Sequence, residues 1–320
     1  MMRFATISHL LNETNIGSIP RSWIKDDIIV SPELDVNGAK GFVIALKKLP
    51  KEVMGSSKDE IRQYVLKAAV FAQNELDVDL VQLGALTTSV TSGGEWLVDQ
   101  REYTGFVTHG DSYTAAVTCQ AVYKALGLFG KNPYELVLAV VGAYGIIGEA
   151  VSKILVPRFK HSILIGRREH KLEELSNKLE GDFETSVKLE TKKADVVVTA
   201  TSHPMALLKS ENLKKDAVVV DVSQPPNLSH EVCKSRPDVF RVDGGYVSFP
   251  EEYAFPIPGM PRGKNFACIA EVVMQALEDE PGNHVGGIDL GFLHKTEKWG
   301  RKYGFLLNEL TSFGETIKRK

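Results

Sequence analysis

The residues best suited to chemistry begin with a glycine-spaced loop, Gly142-Ala143-Tyr144-Gly145-Ile146-Ile147-Gly148. Bare backbone N–H groups at a helix start can hold a phosphate, and only glycine lets the backbone come that close. The spacing is G-x-x-G-x-x-G rather than the commoner G-x-G-x-x-G, so the flanks decide the reading. They are a strand-like run, LVLAVV, and a helical run from Ile146, which is the order a pyrophosphate cradle requires. Without a ligand, the same triplet is a tight strand-to-helix turn. An NAD site places an acidic residue about 20 residues further on, to accept from the ribose hydroxyls. Here Gly166-Arg167-Arg168 stands at that point. A guanidinium pairs with a 2′-phosphate that a carboxylate would repel, so the expected cofactor is NADPH. The bland reading of Arg167 and Arg168 is a solvated pair at a helix start. Thr199, Ala200 and Thr201 close a later strand-like run and leave room for the nicotinamide ribose, with Gly244 and Gly245 expected near the nicotinamide.

The candidate nucleophile is Cys268, in Gly263-Lys264-Asn265-Phe266-Ala267-Cys268-Ile269-Ala270-Glu271. A helix starting near Asn265 puts the thiol in its first turn, where the positive end of the dipole lowers a thiol pKa. Arg262 and Lys264 add to that effect. A thiolate there can attack a thioester or other activated acyl group. The competing reading is a packing cysteine, because Phe266, Ile269 and Val273 make an apolar stripe beside it. Cys119, in an Ala-rich helix, reads as core, and Cys233 has no activating context. His109, Asp111 and Tyr113 form a polar cluster in THGDSYTA. Asp111 either caps the following helix or joins the others in facing a substrate.

The elements that must position these groups alternate strand and helix patterns. Strand-like runs occur at Phe4–Leu10, Asp27–Val30, Gly41–Leu46 and Asp79–Leu86. A helix spans Ser57–Leu76, with Ser57 as cap and Glu60 three residues on. Thr87–Asp111 reads as a loop region, and Ser112–Leu126 as a helix ending before Lys131-Asn132-Pro133. Beyond it, Leu136–Val141, Ser162–Ile165, Asp195–Thr199 and Ala217–Asp221 are β-branched runs, with helices at Ile146–Leu155 and Glu169–Leu179. Further helices are expected over Asn265–Leu277 and Leu290–Tyr303. The fold class is α/β: a Rossmann-type doubly wound parallel sheet preceded by a smaller α/β substrate domain. The expected division is a substrate domain over 1–130 ending in a connecting helix and a Rossmann NADP(H)-binding domain over 131–262. C-terminal helices over 263–320 pack back across them.

Composition narrows the function classes. A chain of 320 residues fits two domains, and 43% hydrophobic residues suffice for buried cores. A net charge of −3 gives no global attraction to nucleic acid or anionic membrane. No apolar run approaches the ~20 residues of a membrane span. The start MMRFATIS lacks signal-peptide features. Three scattered cysteines form neither a C-x-x-C metal pair nor a disulfide framework, so reduced thiols in a cytoplasmic protein, with no bound metal, are expected.

With these residues in hand, the chain resembles the cyanobacterial long-chain acyl–acyl-carrier-protein reductases and the wider group of amino-acid and shikimate dehydrogenase-like proteins around them. The matching blocks are LGALTTSV, THGDSYTAAVTC, VVGAYGIIG, ILIGRR, ADVVVTATSHP, VDGGYV and FACIAE, in the family's order. The resemblance implies that the cysteine of the F-A-C motif, Cys268, carries an acyl group as a thioester, and that NADPH delivers hydride to release an aldehyde. It implies Gly142, Gly145, Gly148 and Arg167 as NADPH contacts, and an acyl carrier protein or coenzyme A thioester as substrate. One departure is that the family's G-N-T-H-T-A reads Gly110-Asp111-Ser112-Tyr113-Thr114-Ala115, with Tyr113 in place of histidine and a carboxyl at Asp111 in place of an amide. Lys47-Lys48, Lys214-Lys215 and Lys318-Arg319-Lys320 read as solvated surface rather than a carrier-protein patch. The alternative activity is an NADP-dependent dehydrogenase of a small amino or hydroxy acid, shikimate dehydrogenase-like, with His109 and Asp111 as proton relay. A third reading is an NADP(H)-binding sensor without chemistry.

Overall fold

The computed structural model describes residues 1–10, 19–203, 205–250 and 263–317. Pro204, Arg262 and Lys318-Arg319-Lys320 lie outside the described residues. The chain forms two compact units, Met1–Tyr113 with Val247–Leu306 and Thr114–Tyr246 with Leu307–Lys320. The first unit is discontinuous in sequence and, with Val247–Leu306 included, the larger of the two.

Its strands are β1 (Phe4–His9), β2 (Ile24–Lys25), β3 (Ile28–Val30), β4 (Leu34–Val36), β5 (Ala39–Leu46), β6 (Leu80–Leu83) and β7 (Phe106–Thr108). They pair in the order β2-β3-β5-β1-β6-β7, with β4 on β5. The pairs β5–β1, β1–β6 and β6–β7 are parallel, and β3 and β4 run antiparallel to β5. Parallel neighbours need long crossovers, and α1 (Pro50–Gly55) with α2 (Lys58–Leu76) carries the chain from β5 to β6. The buried face of α2 is Ile61, Val65, Leu66, Ala68, Ala69 and Ala72, at helical spacing. Ser57 caps it, its Oγ accepting the Glu60 N–H at 3.1 Å.

The strand expected to run on to Leu86 stops at Leu83, because Ala85 takes a left-handed φ of 55° and turns the chain. The stretch expected as loop after it contains α3 (Leu86–Val90), α4 (Glu95–Val98) and β7. Its threonines bond to backbone carbonyls: Thr87 Oγ1 to Gly84 at 2.7 Å, Thr88 Oγ1 to Leu83 at 2.8 Å and Thr91 Oγ1 to Thr87 at 2.7 Å. The helix α5 (Asp111–Leu128) follows, and the boundary between the units falls within it, after Tyr113.

The second unit holds β8 (Val137–Val141), α6 (Ile146–Leu155), β9 (His161–Ile165), α7 (Glu169–Ser176), β10 (Phe183–Ser186), β11 (Val196–Thr199), β12 (Val218–Asp221), α8 (His230–Ser235) and β13 (Phe240–Asp243). The strand order is β10-β9-β8-β11-β12-β13, and all its pairings are parallel. This is the Rossmann-type arrangement, with its topological switch between β8 and β11. Strands β11 and β12 are buried at every position, which explains their unbroken valine runs.

After β14 (Tyr246–Ser248), a short strand β15 (Lys264–Phe266) occupies the place where a helix start was expected. The helix α9 (Ala267–Leu277) begins at Ala267, with Phe266 as its cap residue. α10 (Leu290–Tyr303) is capped by Asp289, whose Oδ1 accepts the Phe292 N–H at 2.7 Å. The chain's last hairpin, β16 (Thr311–Ser312) with β17 (Glu315–Thr316), belongs to the second unit. There, Asp243 accepts the Phe313 N–H at 3.1 Å and the Gly314 N–H at 2.8 Å. Arg241, behind them, bonds Asp243 at 2.6 Å and Asp221 at 3.3 Å.

Because Ser57 satisfies an otherwise orphaned helix donor, Ser57→Ala should cost about 1 kcal/mol in urea unfolding. A change near zero would show that α2 does not depend on this cap.

Candidate functional site

In the second unit, the carboxyl end of β8 runs into Gly142, whose φ is +85°. Gly142 and Ala143 both donate their N–H to the Ile165 carbonyl, at 2.8 and 3.1 Å. A Cβ on Gly142 would collide with the Ala200 carbonyl oxygen, and one on Gly148 with the Gly142 carbonyl oxygen. Only glycine permits this packing of loop, helix and strand ends. Gly145 caps α6 without a side chain, and the first helical bond is Glu149 N–H to Gly145 O at 2.8 Å. That leaves the N–H groups of Ile146, Ile147 and Gly148 with no acceptor inside the helix. A pyrophosphate fits such a turn: side chains are absent where it must approach, and three donors converge at the positive end of a dipole.

Beyond β9, Arg167 and Arg168 are exposed. No carboxylate pairs with either among the described residues. The Tyr144 ring covers Gly166, where a Cβ would strike it, and the Tyr144 hydroxyl accepts the Arg167 N–H at 3.2 Å.

At the ends of β11 and β12 the expected cofactor contacts divide. Thr199 is fully buried and donates its hydroxyl to Asp221 Oδ1 at 2.6 Å. Its side chain therefore ties the end of β11 to that of β12. Ala200 donates its N–H to Val141 O at 2.8 Å, and Thr201 is held by Ser223 Oγ at 3.1 Å and Asn227 Oδ1 at 2.8 Å. Gly244 packs on Val222, with its carbonyl accepting from Thr118 Oγ1 at 2.9 Å, and Gly245 lies beside Val222 and Thr114.

In the first unit the structure gathers Thr108, His109, Gly110, Asp111, Tyr113, Cys268, Glu271 and His284. Cys268 is the second residue of α9 and keeps part of its surface exposed. Gly110 lies directly against it: a Cβ on Gly110, whose φ is +72°, would fall 2.5 Å from the Cys268 Cβ and 2.8 Å from its Cα. Glu271, one turn further along the same face of α9, is fully buried. Its Oε1 accepts from Thr108 Oγ1 at 2.8 Å and its Oε2 from the Tyr113 N–H at 2.6 Å. The N–H groups of Ser112 and Gly110 stabilise the same carboxylate. Glu271 thus caps α5, the role the sequence offered to Asp111.

The electrostatics reverse the thiolate expectation. Burial, then the Asp111 and Glu271 carboxyls, push the Cys268 thiol up to about 12. A helix N-terminus contributes about 0.3–1 kcal/mol, less than the roughly 1.4 kcal/mol that moves a pKa by one, so it is outweighed. Burial raises Glu271 to about 7 against the donors around it. Burial, then Glu271, holds Asp111 well above the usual carboxylate range. The sulfur therefore rests as a thiol beside two carboxyls that burial pushes upward, Glu271 to about 7 and Asp111 well above the usual range.

His109 and Tyr113 are both buried. Tyr113 is fully buried, its hydroxyl donated to the Phe305 carbonyl and its ring filling the space over Gly300. It anchors the start of α5. His109 accepts the Asp111 N–H on Nδ1 at 2.9 Å. Burial, then His284, lowers it to about 3. It is consequently neutral with its proton on Nε2, and that buried atom has no partner among the described residues. His284 joins the cluster through its carbonyl, which accepts the His109 N–H at 3.1 Å, while its ring stacks on Phe292. Sequence reasoning singled out neither Glu271, Thr108 nor His284. The i, i+3 spacing of Cys268 and Glu271 was the available signal. Among the described residues no group of His, Cys, Asp and Glu could hold a metal ion, and no helix is long and apolar enough to cross a membrane.

Two outcomes follow from these charges. Peptide mapping of iodoacetamide labelling near neutral pH should find Cys268 about tenfold slower than free cysteine, with Asp111→Asn accelerating it; labelling at the free-thiol rate would contradict the raised pKa. Glu271 binds its proton more tightly when folded. Its contribution to stability is therefore full below the ordinary carboxyl value of 4.5 and is lost as pH rises through about 7. The difference in unfolding midpoint between wild type and Glu271→Gln should shrink across that window, and a constant difference would contradict the assignment.

Comparison with known proteins agrees with the second unit's architecture. A family model for shikimate / quinate 5-dehydrogenase matches residues 129–244. The chain is 27% identical over 310 residues to the long-chain acyl-[acyl-carrier-protein] reductase of Synechococcus elongatus, covering 88% of each. It is 27% identical over 255 residues to the aminotransferase PigE of a Serratia species, covering 76% of this chain. The match takes in 29% of that relative, so the chain spans under a third of its length. Among solved structures, L-tryptophan dehydrogenase from Nostoc punctiforme superposes with a TM-score of 0.46 at 12% identity, covering 96% of this chain and 80% of that one. The family match over the second unit and the likeness to a reductase along most of the chain indicate an oxidoreductase of the dehydrogenase/reductase kind.

Proposed function

We propose that the chain reduces acyl thioesters, carried by acyl carrier protein or coenzyme A, to aldehydes with NADPH, through a thioester on Cys268. In this reading the first unit performs the acyl chemistry and the second binds the cofactor, with Gly142, Gly145, Gly148 and Arg167 as its principal contacts. The observation that carries it is a partly exposed cysteine in a helix first turn, packed on Gly110 and beside two carboxyls that burial pushes upward. The full-length likeness to an acyl-carrier-protein reductase supports the same reading.

The Cys268 sulfur attacks the acyl carbonyl and its proton passes to a carboxylate, Asp111 or Glu271. The S–C bond to the carrier breaks, and the carrier thiolate takes up a proton. Acyl transfer is thereby balanced and leaves an enzyme thioester. NADPH held at the Gly142–Gly148 turn and by Arg167 would supply the hydride that this thioester carbonyl requires. The aldehyde departs as the Cys268 sulfur leaves, and the carboxyl returns the proton to it. Gly110 matters throughout, because any side chain there would occupy the face of Cys268. The alternative of a small amino- or hydroxy-acid dehydrogenase finds less support: its relay would use His109, which burial keeps neutral and whose Nδ1 is already bonded.

The test is peptide mass mapping after incubation with acyl-coenzyme A or acyl carrier protein, without NADPH. An acyl adduct on Cys268 is expected. Cys268→Ser should lose both adduct and aldehyde, by at least about a hundredfold, while retaining NADPH affinity. Undiminished turnover in that variant removes the covalent route.

A further inference from the structure

Tyr144 occupies the third position of the glycine loop, where the commoner spacing has its second glycine. Its side chain does not point away from the nucleotide turn's neighbours: it reaches the end of β9. The ring lies on Gly166, so that a Cβ there would fall inside it, and Leu172 approaches the same point. The hydroxyl accepts the Arg167 backbone N–H at 3.2 Å. A phenol that accepts one bond retains its own hydrogen for donation. Beside it stand Arg167 and Arg168, exposed and without carboxylate partners among the described residues. The end of this strand is where a nicotinamide dinucleotide's adenosine ribose is read.

We infer that Tyr144 determines the choice of dinucleotide, by donating its O–H to a 2′-phosphate and by filling with its ring the space that a ribose-binding carboxylate would need at position 166. The inference deepens the NADPH reading above and rests on it. The two actions are separable. The hydroxyl and the guanidiniums attract the 2′-phosphate, whereas the ring against Gly166 excludes the acidic side chain that accepts from an unphosphorylated ribose. Neither action involves the first unit's cysteine.

Calorimetric titration of the full chain with NADPH, NADH and 2′,5′-ADP tests it. Tyr144→Phe should weaken NADPH and 2′,5′-ADP about tenfold and leave NADH unchanged. Tyr144→Ala combined with Gly166→Asp should strengthen NADH binding about fivefold or more over wild type. Unchanged NADPH affinity in Tyr144→Phe, or equal losses for NADPH and NADH, overturns the donor role. If the double variant fails to gain NADH affinity, the gating role is overturned. A wild-type chain that binds NADH as tightly as NADPH overturns this inference together with the cofactor choice, but leaves the Cys268 adduct experiment to decide the acyl chemistry separately.

Discussion

A single buried carboxylate organises the cysteine-bearing cluster of the first unit. Glu271 takes hydrogen bonds from Thr108 and from the backbone at the start of α5, which holds Gly110 to Tyr113 in place against α9. A helix start whose N–H groups have no side-chain cap of their own needs an acceptor from elsewhere. Here the acceptor comes from one turn beyond the cysteine. The same bond that orders the backbone therefore brings a second ionisable group beside the sulfur.

The arrangement sets the chemical temper of Cys268. Desolvation and neighbouring negative charge oppose ionisation, and the helix dipole is too weak to overcome them. A resting thiol is less exposed to oxidation than a thiolate, since reactivity follows ionisation. The nearby carboxyls of Asp111 and Glu271 are themselves pushed upward by burial.

Much of this was readable from residue patterns, for definite reasons. The valine runs of β11 and β12, the periodic face of α2 and the glycines around Gly142 each reflect one local requirement, and the expected elements match to within a few residues. What escaped depends on contacts distant in sequence. β10, FETS, is an edge strand with no fully buried residue and no apolar alternation. β13, FRVD, hides an arginine in its interior because Asp221 and Asp243 neutralise it. The thiol's raised pKa was equally invisible, since the burial that dominates it and the carboxyls that add to it arise only once α5 and α9 meet. Tyr113 looked like a site residue, but its hydroxyl goes to Phe305, nearly two hundred positions away.

The hairpin that ends the described chain has a bearing on how the nucleotide-binding unit is made. Arg241 is buried between Asp221 and Asp243, and its guanidinium lies 3.8 Å over the Phe313 ring, while Asp243 receives the Phe313 and Gly314 amides. Those partners emerge from the ribosome only after all of α9 and α10. A fragment cut at Tyr246 would lack the contacts that Phe313 and Gly314 make with Arg241 and Asp243. The second unit is in that sense closed by a hairpin that lies beyond α9 and α10 in sequence.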